Sequence, residues 1–554
     1  MNYRDEYNRW LQNIDDIELL SELHSMNEVA VEDAFYRALA FGTGGLRGTI
    51  GAGTNRMNIY VVAKASQGLA NYLLKKFSSP SVVIGYDSRI KSDVFAKVVA
   101  GVFAANGIVV RMWPILNPVP TVSFAIRKLK ASSGVMITAS HNPSKYNGYK
   151  VYGADGCQIT TEAASEILSN ISSIDIFSDV LQMNFDEAVS EGKICFIGDD
   201  VMTAFIDEVK SQSVLFGDKI DRDVAIVYSP LNGTGLKPVT RVLSESGFTN
   251  ITVVEEQRLP DGNFPTCPYP NPEIREAMEL GLEYCRKIGA DLLLATDPDA
   301  DRCGIAVKDG DDYRLLSGNE VGLLLLDYIC SQRIAHNLMP DNPVFVKTIV
   351  TMDLAEKIAE HYGVKTINVL TGFKFIGEVI GRLEAEGREK DYILGFEESY
   401  GYLTGTYVRD KDAVNAAFMI CEMFAFYKTR NISLIDKLED LYAQYGYCLN
   451  ILHSYEFEGS AGMERMTGIM KSFRNGIEEI GGERIIRTED YLIGINGLPK
   501  SDVLKFYMQS GSVVVRPSGT EPKLKVYISI TMENIERAKE KEKVVLIDVE
   551  KFVL

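Results

Sequence analysis

Positive charge is under-represented in this chain: 58 Lys and Arg stand against 76 Asp and Glu, a formal net charge of −18 over 554 residues. That surplus repels polyanions and excludes nucleic acid as the main partner, while leaving room for a local basic loop to hold a small phosphate. Cysteine is sparse and scattered. The eight cysteines form no C-x-x-C pair, and a disulfide framework is not expected in so long a chain, so a reduced, cytoplasmic protein is expected. No apolar run approaches ~18 residues, and the opening Asn2-Tyr3-Arg4-Asp5-Glu6 is charged; neither a signal peptide nor a membrane-spanning helix is expected. Low-complexity linkers and residue-level repeats are also missing. So is the Walker pattern G-x-x-x-x-G-K-[ST], and Gly42-Thr43-Gly44 fails as a dinucleotide fingerprint because Arg47 stands where its third glycine belongs.

What is present is enough apolar material, 46% of residues, for several cores; at roughly 100–200 residues per domain the length implies three to five domains. Residues 7–40 carry helical spacing and predict two helices. From Ser81 onward, short β-rich runs alternate with helical segments: Ser81-Val82-Val83-Ile84-Gly85, a helix near 95–105, then Ile108-Val109-Val110. The rhythm restarts at Val224-Ala225-Ile226-Val227-Tyr228 and again at Val344-Phe345-Val346-Lys347, which predicts α/β layering in three successive units. Beyond Lys437 the pattern changes to an α+β unit with strands around Ser512–Val515 and 524–528 and a charged helix over 532–543. The expected domains are 1–208, 209–315, 316–436 and 437–554, with mixed sheets arranged about a central active-site cleft.

Four punctuated loops concentrate the chemistry. Thr138-Ala139-Ser140-His141-Asn142-Pro143 follows the apolar run Gly134–Ile137, the place where α/β proteins position reactive side chains. Ser140 lacks a G-x-S-x-G elbow, so it is not read as a hydrolase nucleophile. Asp297-Pro298-Asp299-Ala300-Asp301-Arg302 sets three carboxylates at alternate positions, able to face one hard cation, and Mg²⁺ suits a site shared with phosphate. An EF-hand is excluded, because its sixth and twelfth positions are Arg302 and Lys308 rather than glycine and glutamate. Gly395-Phe396-Glu397-Glu398-Ser399-Tyr400-Gly401 offers acceptors and a hydroxyl to a polyol. Arg516-Pro517-Ser518-Gly519-Thr520-Glu521-Pro522-Lys523 combines a guanidinium, hydroxyls and a glycine turn, the composition of an anion nest.

Four such loops in this order resemble the α-D-phosphohexomutase family, over roughly residues 40–545. The resemblance implies that Ser140 is phosphorylated and passes its phosphoryl group to a sugar. It implies that Ser140, Asp297, Asp299 and Asp301 hold Mg²⁺, and that His141, Lys150, Arg47 and Arg302 act in catalysis. Glu397 and Ser399 would bind sugar hydroxyls; Thr371, Gly372, Lys374 and Lys347 would add to substrate binding. Arg516, Ser518, Gly519 and Thr520 would clamp the distal phosphate. The loop Thr371-Gly372-Phe373-Lys374-Phe375 resembles that of glucose-type members, implying exchange of glucose 1-phosphate and glucose 6-phosphate through glucose 1,6-bisphosphate. Pentose or mannose phosphates, bisphosphate synthesis, or silent sugar-phosphate binding are the alternatives. The expected partner is a small phosphosugar, without nucleic acid or membrane; oligomeric state, monomer or dimer, leaves no mark in the sequence.

Overall fold

The N-terminal segment forms three helices, Tyr3–Asn13, Ile17–Ser25 and Glu28–Phe35, where two were expected. The extra break has a local cause. Asp16 accepts a hydrogen bond from the Leu19 amide and Asn27 from the Ala30 amide, so each starts a new helix instead of letting the preceding one continue. A computed structural model describes residues 2–42, 44–457, 459–495, 497–518 and 523–554, with residues 459–461 described by backbone alone.

Three α/β units follow, then an α+β unit, as the alternating pattern predicts. The first sheet has seven strands in the order Phe41–Gly42, Gly45–Thr49, Tyr146–Tyr152, Ser133–Ile137, Ser81–Tyr86, Val109–Met112, Ile194–Phe196. Its last four are mutually parallel, while Tyr146–Tyr152 runs antiparallel to both its neighbours. The second sheet runs Asp312–Leu316, Cys303–Asp309, Leu292–Thr296, Ile226–Ser229, Ile251–Val253. The third, Lys365–Val369, Val344–Thr348, Tyr392–Glu397 and Gly401–Leu403, is parallel except at its last strand. Buried parallel strands explain the nearly continuous apolar runs in the sequence.

The fourth sheet is wholly antiparallel: Tyr447–Glu456, Lys523–Met532, Gly511–Pro517, Leu504–Met508, Arg487–Asp490. Arg516, expected in a loop, is still in register here, paired with Lys525. The closing helix runs Ile535–Val553, longer than the charged segment suggested, because Ala538, Val545, Val549 and Val553 keep an apolar stripe turned inward. Among the described residues no helix is long and apolar enough to cross a membrane.

One hydrophobic core runs through the first three units, from Val83 and Phe124 through Ile226 and Leu292 to Phe345 and Leu394. The fourth unit has its own core around Phe506, Val513, Val526 and Val549. It meets the third across a small cluster of Ile349, Val350, Leu370, Tyr491, Val503, Val514 and Tyr527. Cys448, on the first strand of the fourth sheet, also reaches the large core.

Candidate active site

Ser140 lies just past the strand Ser133–Ile137, on the turn leading into Tyr146–Tyr152. It is 3% exposed and takes a left-handed φ of 52°. A non-glycine residue pays strain there, which persists only where its surroundings over-determine it. The Ser140 amide donates to Thr138 Oγ1 at 2.8 Å, and Ser140 Oγ donates to Asp297 Oδ2 at 2.8 Å. His141 Nδ1 lies 3.2 Å from the same Oγ. Burial, with the positive charges of Arg302 and Arg47 nearby, pushes His141 well below its ordinary pKa. That shift favours the neutral imidazole, which can take up or release a proton.

The three aspartates leave the end of the strand Leu292–Thr296 on a turn in which Ala300 has φ 50°. The left-handed position thus falls on Ala300, and Pro298 is accommodated without a break. The loop rests on the turn after Ile226–Ser229: the Thr234 amide and hydroxyl both donate to the Pro298 carbonyl, and a Cβ on Gly233 would come within 2.4 Å of Pro298 Cα. All three carboxylates are buried, with ligand oxygens within 4.8 Å of one another. Asp297 Oδ1 accepts from the amides of Asp301 and Arg302. Asp299 Oδ2 accepts from Lys150 at 2.9 Å and lies 3.1 Å from Thr138 Oγ1. Asp299 Oδ1 and Asp301 Oδ1 are buried without a hydrogen bond. Such orphaned oxygens are costly, and an all-oxygen set with spare acceptors fits a hard divalent cation.

Lysines balance the cluster. Lys150, on the strand Tyr146–Tyr152, reaches Asp299 at 2.9 Å and Asp301 at 3.3 Å. Lys411 reaches Asp301 at 2.9 Å from the other side. Burial alone would raise the Asp301 carboxyl, but Lys411, Lys150 and Arg302 outweigh it and hold Asp301 well below the carboxylate range. Asp297 goes the other way: burial and its two aspartate neighbours raise it well above.

Arg302 is ion-paired to Glu273 and lies 3.8 Å from Asp301. Arg47 is exposed on the strand Gly45–Thr49, opposite Gly148, and donates to Asn142 at 3.2 Å. Gly45 beside it is obligatory, because at φ 143° a Cβ would sit 1.8 Å from the Tyr149 carbonyl.

Glu397 ends the strand Tyr392–Glu397 and accepts from the Gly372 amide at 3.0 Å, so the two segments expected to bind sugar meet directly. Burial lifts the Glu397 carboxyl to about 7, against the pull of Lys411 and Arg302. Thr371 Oγ1 is buried without a partner, and Ser399 is half-buried on the adjacent turn. Lys374 packs over the Phe375 ring at the start of the helix Phe373–Ala385. Arg516 is half-buried over Tyr527, with its Nε unbonded, and the Ser518 amide donates to Lys523. Gly519 and Thr520 lie outside the described residues. Lys347 goes elsewhere: its ammonium is fully buried against Asp353 at 3.2 Å, Glu356 at 3.0 Å and the Thr351 carbonyl at 3.0 Å, on the seam with the fourth unit.

Four family descriptions match this chain in order. They are phosphoglucomutase/phosphomannomutase alpha/beta/alpha domain I over residues 38–176, domain II over 203–310, domain III over 317–445 and the C-terminal domain over 460–545. The chain belongs to the phosphoglucomutase/phosphomannomutase family. A Staphylococcus saprophyticus protein named phosphoglucomutase is 37% identical over 540 residues, 95% of this chain and 97% of that protein. One from Staphylococcus aureus is 36% identical over 548 residues, 96% and 97% of the two chains. In fold, the chain is similar to parafusin, a Paramecium phosphoglucomutase solved in an open form, with a TM-score of 0.66 at 17% identity, covering 93% of this chain and 96% of that one.

Four residues of this family member's site escaped the sequence reading: Lys411, Thr138, Asp87 and Arg89. The last two sit in Gly85-Tyr86-Asp87-Ser88-Arg89, at the carboxyl end of the buried strand Ser81–Tyr86. Paired charges at such a strand end were the available signal.

Proposed function

We propose that this chain is a phosphoglucomutase, interconverting α-D-glucose 1-phosphate and glucose 6-phosphate through phosphorylated Ser140. The observation that carries this reading is the 2.8 Å contact between Ser140 Oγ, held in a strained turn, and Asp297 of a buried triad with spare oxygens. Asp297, Asp299 and Asp301, with an oxygen of the Ser140 phosphate, would hold Mg²⁺. Bound there, the ion supplies positive charge to the transferring phosphoryl group.

A sugar hydroxyl oxygen attacks phosphorus, the bond from phosphorus to Ser140 Oγ breaks, and the hydroxyl gives up a proton while Ser140 Oγ regains one. Phosphoryl group and proton thus travel in opposite directions. Neutral His141 and the ammonium groups of Lys150 and Lys411 are the carriers within reach. Arg47 and Arg302 steady the phosphoryl oxygens. The product, glucose 1,6-bisphosphate, reverses in the site and returns its other phosphate to Ser140. Both orientations use Glu397, Ser399, Thr371, Gly372 and Lys374 for the sugar and Arg516, Ser518, Gly519 and Thr520 for the distal phosphate. The separate core of the fourth unit suits a closing motion that keeps water from intercepting the phosphoryl group.

The test is a comparison of kcat/KM for glucose, mannose and ribose 1-phosphates with Mg²⁺, with and without catalytic glucose 1,6-bisphosphate. Glucose 1-phosphate should be the best substrate, because groups built to bond particular hydroxyls penalise sugars that leave them unpaired. A better mannose or ribose 1-phosphate would reassign the substrate; no turnover of any would overturn the reading.

A further inference from the structure

We propose that Arg89 is the positioning residue that sets Ser140 for phosphoryl transfer, an inference that deepens the mutase reading and rests on it. Arg89 touches none of the reacting atoms. It is 3% exposed, and its guanidinium is turned almost wholly onto the backbone of the Ser140 turn. Nε donates to the Ser140 carbonyl at 3.1 Å; Nη1 donates to the Pro143 and Tyr146 carbonyls at 3.0 and 3.1 Å; Nη2 donates to the Ser140 and Asn142 carbonyls. A guanidinium has five N–H donors in a rigid plane, and every donor nitrogen here goes to this one turn. Lysine, with a single rotating ammonium, cannot reproduce that pattern.

The turn is gripped from its other side as well. Asp87, 3.4 Å from Arg89 Nε, accepts from Arg89's own amide, from Ser92 Oγ at 2.8 Å and from Thr138 Oγ1 at 2.6 Å. Thr138 Oγ1 in turn accepts the Ser140 amide and lies 3.1 Å from Asp299. The left-handed Ser140 is therefore fixed at its amide by Thr138 and at its carbonyl by Arg89. This double restraint accounts for a conformation that a serine would otherwise leave. The second unit adds a lid to the same cation: Phe264 lays its ring 5.2 Å from the Arg89 guanidinium carbon. Relaxing the turn toward ordinary backbone angles would swing Oγ away from Asp297 while leaving the sugar and distal-phosphate contacts in place.

That geometry predicts a split in the kinetics. Misplacing a reacting atom by about 1 Å costs on the order of 100-fold in rate, whereas substrate affinity depends on other loops. The experiment compares the full-length wild type, Arg89→Lys and Arg89→Ala with glucose 1-phosphate, Mg²⁺ and glucose 1,6-bisphosphate, alongside their melting curves. Arg89→Lys should lose roughly 100-fold in kcat with KM within about threefold of wild type, and added guanidinium ion should restore part of the kcat of Arg89→Ala but none of that of Ser140→Ala. Wild-type kcat in Arg89→Lys, a loss confined to KM, or variants that do not fold would each overturn the proposal, the last because it would place the whole contribution in stability. A wild type that turns over no sugar phosphate would instead sink the functional reading itself.

Discussion

Ser140 and Asp297 are 157 residues apart in the chain, and the Ser140 hydroxyl donates to the Asp297 carboxylate at 2.8 Å. One comes from the first sheet and the other from the second, and each sits just beyond the carboxyl end of a buried parallel strand. The shared core of the first three units holds the two strand ends in fixed relation. The fourth unit, which carries Arg516, joins the third across a smaller seam.

The aspartate triad should bind Mg²⁺ and gain stability from it. At Mg²⁺ about 100-fold above its Kd, binding adds about 2.7 kcal/mol, so melting in Mg²⁺ should exceed melting in chelator. The difference should vanish in the Asp299→Asn, Asp301→Asn double variant. Equal Mg²⁺-dependent stabilisation in that variant would place the ion elsewhere.

Lys411→Met should lower turnover by roughly 100-fold, the scale of a lost proton carrier. The substitution removes the ammonium 2.9 Å from Asp301 and leaves the stem packed. Unchanged kcat would reduce Lys411 to a counter-ion.

Glu397 makes substrate binding sensitive to pH. With its carboxyl lifted to about 7, Glu397 takes up a proton as pH falls through neutrality and loses an acceptor for sugar hydroxyls. KM for glucose 1-phosphate should rise between pH 8 and pH 6, and Glu397→Gln should flatten that rise. An identical slope in the variant would assign the titration to another group.

Asp353 should hold the fourth unit to the third. It bonds Lys505 at 2.8 Å, Ser512 at 2.6 Å and Lys347 at 3.2 Å. Burial alone would raise its carboxyl, but Lys505 and Lys347 reverse that and depress it below the usual 3.8. A depressed carboxyl contributes stability that is fully present above its unfolded pKa and is lost as pH falls through its folded one. Asp353→Asn should cost about 2–4 kcal/mol, less than a fully buried pair because 26% of its side chain is exposed. Denaturant melts at pH 7 and pH 3 measure this: the gap between wild type and variant should shrink at the lower pH, and a gap that widens would contradict the assignment.

Much of this site was legible in the sequence because its chemistry is carried by short runs. Asp297, Asp299 and Asp301 announce themselves by spacing, and the loop of Ser140 by its place after an apolar strand, while the role of Ser140 comes from the family resemblance. The remainder depends on three-dimensional meetings that no local pattern encodes. Lys411 is an ordinary charged residue until the third unit brings it to Asp301, and Arg89 acquires its role only when five N–H groups find the carbonyls of a turn 51 residues or more away. Lys347 shows the converse. The family resemblance implies a substrate-binding role for Lys347, yet Asp353 and Glu356, a few positions further on, pair with its charge in the seam. In the fold, the alternating runs gave the three α/β units correctly, whereas the N-terminal helix count turned on two capping side chains, Asp16 and Asn27.

The most direct test is to incubate the protein with Mg²⁺ and glucose 1,6-bisphosphate, then locate any added phosphate by intact-mass and peptide analysis. One phosphate on Ser140, discharged by glucose 1-phosphate at a rate matching kcat and missing from a folded, inactive Ser140→Ala protein, is the predicted result. Phosphate on another residue, or steady turnover in Ser140→Ala, would contradict it.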